Sequence, residues 1–211
     1  MKQNNYDRIA PYYDTLSRLV FFKAQVKAQI NQLSFIPANS NVLIIGGGTG
    51  WVLEEIAKIH PQGLNITYVE ISEKMLVLSK KRKTGENEVT YIHAPAEEFK
   101  TTKNYEIILT AFLFDNFAAD RIQYVFTELN NMLKPGGTWL FCDFYYSEVR
   151  GKKWQWYLLK TMYLFFNKIS NVEAKALINT ERNFAVYQYQ PLATAYYYGG
   201  FIKAITYQKP G

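Results

Sequence analysis

The chain holds a single cysteine, Cys142, and only two histidines, His60 and His93. One thiol excludes an internal disulfide and any cysteine-based metal site, so no metal is expected. Cys142 lies in the apolar run W-L-F-C-D-F, where a buried, reduced thiol is expected, as in a cytoplasmic protein. No apolar stretch reaches the ~18–20 residues that span a bilayer. The opening residues M-K-Q-N-N-Y-D-R lack the apolar centre of a secretory leader, so none is expected. Internal repeats, low-complexity tracts and linkers are absent as well. Acidic residues are the minority charge, 18 against 24 Lys and Arg, for a net charge of +6. Lys80, Lys81, Arg82 and Lys83 form the densest cationic cluster, at an expected helix end. Pairing with the helix dipole explains them there without a nucleic-acid partner.

What is present is a globular composition. A chain of 211 residues with 48% hydrophobic side chains is long enough to bury one α/β core, perhaps with an added subdomain. Aromatics make up 17% and crowd the C-terminal third, which points to a large apolar pocket or a packed lid.

Periodicity places the elements. Residues 6–33 read as mostly helical with a break near Pro11. Strands are expected near 41–46, 65–70, 89–92, 105–111 and 138–144. Helices alternate with them near 50–60, from a Ser72 cap to about Lys83, and near 119–133. The last stops at Lys134-Pro135-Gly136-Gly137, a strong turn signal. Alternation of this kind predicts a doubly wound, mostly parallel sheet with helices on both faces. After residue 150 the pattern changes: an apolar helix over 152–169, a shorter one near 172–180, and β-like segments at 183–190 and 200–208. That last pair predicts an antiparallel hairpin on a sheet edge, which makes seven strands in all. One domain is expected: an N-terminal helical lid (1–40), a core (41–146), an aromatic helical insertion (147–182) and C-terminal strands (183–211).

Chemistry concentrates at V-L-I-I-G-G-G-T-G, residues 42–50. An apolar run of this kind is a buried parallel strand, and the glycines after it let backbone approach a ligand. Glu70 follows Gly46 by 24 residues, at the end of a second apolar run, I-T-Y-V-E. That spacing suits an acid on ribose hydroxyls. A dinucleotide loop wants a small residue where Trp51 stands, which argues against NAD or FAD. A phosphate loop wants a lysine after the last glycine, and there is none.

The remaining pattern, G-x-G-x-G with an acid one strand later, resembles the class I S-adenosylmethionine-dependent methyltransferases. Over residues 6–146 five further blocks share the likeness. They are V-E-I-S-E-K-M-L (69–76), A-E-E-F (96–99), L-K-P-G-G-T-W-L (133–140), and the pair Y-D-R-I-A-P-Y-Y-D-T-L (6–16) and A-F-L-F-D-N-F (111–117). That pair is similar to the ubiquinone/menaquinone-biosynthesis C-methyltransferases. The resemblance implies a Rossmann-like fold, with S-adenosyl-L-methionine as cofactor and S-adenosyl-L-homocysteine as product. It implies cofactor contacts from Tyr13, Gly46, Gly47, Gly48, Gly50, Glu70, Ile71, Met75, Ala96, Glu97, Thr110 and Ala111, with Tyr12 and Tyr13 as lid candidates. Three positions depart from the family. Ile44 stands where an acid often supports the methionine end. Pro95 replaces an Asp that contacts adenine, which leaves Ala96 and Glu97 for that task. Asp115 replaces an Arg of the quinone enzymes.

The expected function is methyl transfer to a small, apolar or aromatic acceptor. A non-catalytic cofactor-binding relative is the alternative, and an NAD(P)-dependent oxidoreductase a more distant one. Methyl transfer from a sulfonium asks mainly for positioning and water exclusion, with a base for some nucleophiles. Asp115 and Asp143, near strand carboxyl ends, are candidate substrate contacts or bases; the competing role for Asp115 is loop capping. His93 reads as a structural histidine more than a base, and His60 as a helix-end residue. The aromatic helix reads as core-facing cover for the sheet or as an interfacial helix with lysines toward headgroups. Apolar residues on nearly all sides of Tyr157–Phe166 favour the buried role, so peripheral membrane contact is not the favoured reading.

Overall fold

The computed structural model describes residues 6, 7, 9–146, 152–170 and 177–211, and their side chains except those of 165–170. Seven strands form one sheet: β1 (Asn41–Ile45), β2 (Gln62–Glu70), β3 (Glu86–His93), β4 (Tyr105–Ala111), β5 (Leu133–Phe144), β6 (Gln190–Tyr197) and β7 (Ile202–Gln208). Their order is β3-β2-β1-β4-β5-β7-β6, as expected for a mostly parallel sheet with an antiparallel edge. Successive residues of β1 feed opposite layers. Leu43 and Ile45 enter one core, and Val42 and Ile44 enter the other. A parallel strand buried on both faces has no polar side, which is why its sequence is a continuous apolar run.

The first core is roofed by helix α5 (Ala119–Met132), whose Ile122, Val125, Phe126 and Leu129 recur at helical spacing. The opposite core is covered by α3 (Trp51–Ile59) through Val52, Leu53 and Ile56, and by Leu76 of α4 (Glu73–Ser79). Ser72 caps α4 as expected, its Oγ accepting the Met75 N–H at 3.2 Å. Helices α1 (Tyr13–Phe21), α2 (Ala24–Ile30) and α6 (Lys153–Ser170) gather over the remaining region. There Phe21, Ala28, Phe144 and Phe201 form a third cluster with Leu158, Leu159 and Met162.

Four expectations need correction. Pro11 does not break a helix; it sits in the 3-10 turn Ala10–Tyr12 that starts α1, where a missing N–H costs nothing. The break falls at Phe22, which has φ +53°. Lys134-Pro135-Gly136-Gly137 is no simple turn between helix and strand. β5 begins at Leu133, opposite Tyr105, and the ladder resumes at Thr138 opposite Ile107, so the segment bulges out of a continuing strand. Residues 183–190 are not a strand: α7 (Glu181–Val186) occupies most of them, and β6 starts at Gln190. The helix expected near 172–180 lies mostly outside the described residues, and Leu177–Asn179 are not helical. Among the described residues no helix is long and apolar enough to cross a membrane, and no cluster of His, Cys, Asp and Glu could hold a metal.

Candidate active site

β1, β2 and β4 end side by side: Ile45 pairs with Val69 on one side and Thr110 on the other. The glycine loop leaves β1 at this point, where the strand order reverses, the usual ligand crevice of an open α/β sheet. The Gly46 N–H holds to the Val69 carbonyl at 2.9 Å, so the turn begins under tension from β2. A Cβ on Gly47 would fall inside the Tyr68 ring, whose hydroxyl donates to the Gly48 carbonyl at 3.0 Å. Gly48 has φ +64°, and a Cβ there would meet only Met75 Sδ at 3.9 Å. It is the point at which bare backbone faces open space. Glu70 closes the arrangement from β2. One carboxylate oxygen accepts the Gly48 N–H and the other the Ser72 N–H, both at 2.8 Å. Burial pushes the Glu70 carboxyl up, and these backbone donors oppose the shift.

A second clamp comes from α1. Asp14 accepts the Thr49 hydroxyl at 2.8 Å and pairs with Arg82 at 3.0 Å, and Arg82 donates to the Thr49 carbonyl at 3.0 Å. Of the cationic cluster at 80–83, Arg82 is therefore a loop anchor, while Lys80, Lys81 and Lys83 are exposed. Ile44, at the position where an acid often stands in the family, is buried among core residues and cannot reach the loop. Besides Glu70, the acid beside this loop is Asp14.

Two cavities meet here. The first runs from Asp14, Gln25 and Gln29 past Gly46–Thr49 to Glu70, Ile71, Ala96 and Glu97. Glu97 pairs with Arg121 from α5 through one oxygen; its other oxygen is buried without a hydrogen-bond partner. The second cavity is lined by aliphatic and aromatic side chains of α1 and α6, with Asp115 and Tyr163 among its few polar groups. Tyr6, Tyr13, Ser17, Gln25, Phe112 and Asn116 line both. Phe112 stands at the carboxyl end of β4 with φ +54°, a sparsely populated conformation for a bulky residue and one that marks functional walls. Asn116 fixes the partition: its amide donates to the Phe112 carbonyl at 2.9 Å and to Asp115 at 2.8 Å, and its oxygen accepts the Tyr6 hydroxyl.

Asp115 is pushed well above the ordinary carboxylate range, first by burial and then by the neighbouring Asp143. Asp143 is pushed up to about 7 by burial, although the Phe144, Asp115 and Phe114 N–H groups favour its charge. The Tyr163 hydroxyl is buried with no partner; burial and the two carboxyls raise its pKa. A buried orphan hydroxyl beside a proton-holding carboxyl is ready for a polar atom of a ligand.

Of the residues singled out from sequence, Tyr13, Gly46, Gly47, Gly48, Glu70, Ile71, Met75, Ala96, Glu97 and Ala111 line the first cavity. Gly50 sits behind the loop, packed on Ser79. Thr110 is turned into the core, where it accepts the Trp139 indole N–H at 2.9 Å, because its neighbours Leu109 and Ala111 take the cavity-facing positions. Tyr12 is exposed and lines neither cavity. Asp115 lines the second cavity, and Asp143 stands behind it. His93 contacts the Ile71 carbonyl at 2.9 Å and is structural. Sequence reasoning did not single out Tyr6, Asp14, Arg82, Asn116, Arg121 or Tyr163. Tyr6 and Asp14 lie in the block that also holds Tyr13, Asn116 in the block 111–117 and Arg82 in the cationic cluster, but their roles come from hydrogen bonds the sequence does not show; Arg121 and Tyr163 carried no signal.

Residues 42–137 match the family model described as a methyltransferase domain. The ubiquinone/menaquinone biosynthesis C-methyltransferase of Geotalea daltonii is 30% identical over 149 residues, covering 67% of this chain. The chain spans only 62% of that relative's length. The demethylmenaquinone methyltransferase of Lactiplantibacillus plantarum is 26% identical over 94% of this chain and 86% of its own. Among solved structures, the complex of DhpI with S-adenosylhomocysteine superposes with a TM-score of 0.69 at 16% identity, covering 97% of this chain and 93% of that one. The N-methyltransferase NodS from Bradyrhizobium japonicum, also with S-adenosylhomocysteine, gives 0.64 at 11% identity, covering 89% and 84%. These two likenesses speak to the fold. With the methyltransferase-domain match over residues 42–137 and the curated relatives, the glycine loop, the acid on β2 and the sheet order make the chain similar to the class I S-adenosylmethionine-dependent methyltransferases, and within them to the ubiquinone/menaquinone-biosynthesis type.

Proposed function

We propose that the protein transfers a methyl group from S-adenosylmethionine to a small, largely apolar acceptor bearing an ionisable hydroxyl. The observation that carries this reading is the pair of adjoining cavities with one shared wall. The first has features a sulfonium nucleoside needs. Gly48 offers backbone without a side chain, and the Glu70 carboxylate, held by backbone donors, retains acceptor capacity for ribose hydroxyls. The unpartnered Glu97 oxygen suits an exocyclic amine. That role would compensate for Pro95, which offers adenine no side-chain acceptor.

The cofactor supplies an activated methyl group, so the chain's own work is to orient the acceptor, keep water out and hold a proton. Apolar walls from α1 and α6 exclude water. Phe112 and Asn116, fixed by hydrogen bonds, set the boundary across which acceptor and donor face each other. Asp115 is the candidate base. Burial raises its proton affinity above an ordinary carboxylate's, so in its ionised form it favours proton uptake from an acceptor hydroxyl. Tyr163 would hold the same oxygen. Substrate names attached to the relatives, ubiquinone and menaquinone precursors, agree with such a cavity in being ring systems in an apolar frame.

Calorimetric titration tests the donor site. S-adenosylhomocysteine is expected to bind in the micromolar range, and Gly48→Val to abolish binding by filling the cradle. Absence of heat at millimolar ligand, or unchanged affinity in the variant, would overturn the reading.

A further inference from the structure

We propose that the outer faces of α1 and α6 dock the protein on an anionic lipid surface, with the second cavity opening toward the bilayer. The inference stands on the surface of these helices and does not require that the cavity accept a methyl group.

Helix α6 has two apolar faces. Leu158, Leu159, Met162 and Tyr163 point inward to the cavity and its cluster. The opposite stripe, Lys153, Trp156, Tyr157, Lys160 and Leu164, recurs at helical spacing and is exposed. Tyr157 and Leu164 are 64% and 69% exposed. Core packing explains the first face and leaves the second without a partner among the described residues. The matching edge of α1 exposes Leu19, Val20 and, just beyond its end, Phe22 at 73%, 38% and 70%. Phe22 also carries a φ of +53°, so its ring is held in solvent by a costly backbone conformation.

Val20 and Thr161 are both exposed, and both line the second cavity. The mouth therefore lies between α1 and α6, ringed by their exposed apolar side chains. An apolar acceptor leaving a bilayer would enter at this point without crossing water.

Charge selects lipid over another protein face. No Asp or Glu occurs from Thr15 to Leu53 or from Val149 to Val172. Arg18, Lys23, Lys152, Lys153 and Lys160 are exposed at the ends and flanks of the two helices. Lys160 lies 4.0 Å from the Trp156 ring centroid, its ammonium beside an indole. Trp and Tyr with lysines at their rim suit the headgroup boundary, where an interfacial helix sinks its apolar face by about 5–10 Å. No described helix is a candidate to span a membrane, so the contact is peripheral.

The test is co-sedimentation of the full chain with vesicles of phosphatidylcholine alone and of equal parts phosphatidylcholine and phosphatidylglycerol. The protein is expected to pellet with the anionic vesicles and to be released as salt rises. A triple variant, Trp156→Glu, Tyr157→Glu, Leu164→Glu, is expected to lose about tenfold or more in vesicle affinity. Its far-ultraviolet spectrum and S-adenosylhomocysteine affinity should stay unchanged, which separates this surface from the donor site. Should the triple variant fold poorly, Tyr157→Glu alone is read the same way. Equal absence from both vesicle pellets, or a folded variant that pellets like the parent, would overturn the proposal. So would a stable dimer that the same substitutions dissolve in the absence of vesicle binding, since a second copy would then cover the face.

Discussion

Tyr163 combines two properties that rarely persist together in one side chain: its hydroxyl is buried and it has no hydrogen-bond partner. An unmet buried donor costs the fold about 1–3 kcal/mol. Tyr163→Phe removes that hydroxyl and keeps the ring, so the ligand-free protein is expected to gain about 1 kcal/mol of stability, read from urea unfolding. A loss of stability would show that the hydroxyl already has a partner, and would remove the argument that it waits for an acceptor. Glu97 is the counterpart in the first cavity, a buried oxygen left open while its twin pairs with Arg121. Unpaired polar atoms thus face both cavities, at the points where a bound molecule would bring its own polar groups. Only Glu97 was singled out from the sequence. Glu97 was reachable only because Pro95 removed the usual adenine contact, and Tyr163 lay in a run that reads as plain aromatic packing.

Among the elements, those with a single dominant period were legible. β1, β2 and β4 are continuous apolar runs, and α5 places Ile122, Val125, Phe126 and Leu129 on one face, so sheet and roof followed from spacing alone. The segment 183–190 did not. Alternation selects Phe184, Val186 and Gln188, as in a strand, yet Val186 is 74% exposed. Phe184 and Tyr187, three apart, face inward on α7, and Tyr189 follows them into the core just beyond its end. Phe184 stacks on Tyr207 at 3.9 Å between ring centroids and meets Trp139 edge-on at 5.1 Å, and this long-range contact decides for a helix. Asn179 assists by accepting the Glu181 N–H at 3.0 Å. Phe184→Ala is expected to cost about 3–5 kcal/mol, measured by chemical denaturation. A cost under about 1 kcal/mol would mean that the aromatic stack is not what holds α7 in place. The outer stripe of α6 was misjudged for a related reason. A helix apolar on both sides reads as buried, and only the neighbours it packs against reveal which side has none.

Considered whole, the molecule keeps protons where most folds keep charge. Asp143 is pushed up to about 7 and Asp115 well above its ordinary range, both chiefly by burial. In the unfolded chain both return to about 3.9, so between that value and 7 the folded state holds more protons than the unfolded state. Asp143's contribution to stability is therefore fully present at low pH, declines as pH rises through this window and levels off above it. Asp143→Asn should flatten the fall of the melting temperature between about pH 5 and pH 7, read by thermal scans of both proteins across that range. Parallel profiles would assign the effect elsewhere.

The division of labour between the two cavities has a consequence for how they can vary. The donor cradle is built mainly from residues 42–137, the stretch shared with the wider family, whereas most of the second cavity's wall comes from α1 and α6 on either side of it. Helix α1 is not free to drift, because Asp14 and Tyr13 tie it to the donor side. Among its described side chains α6 has no such tie, so substitutions in this one helix would reshape the second cavity and leave the wall of the first intact.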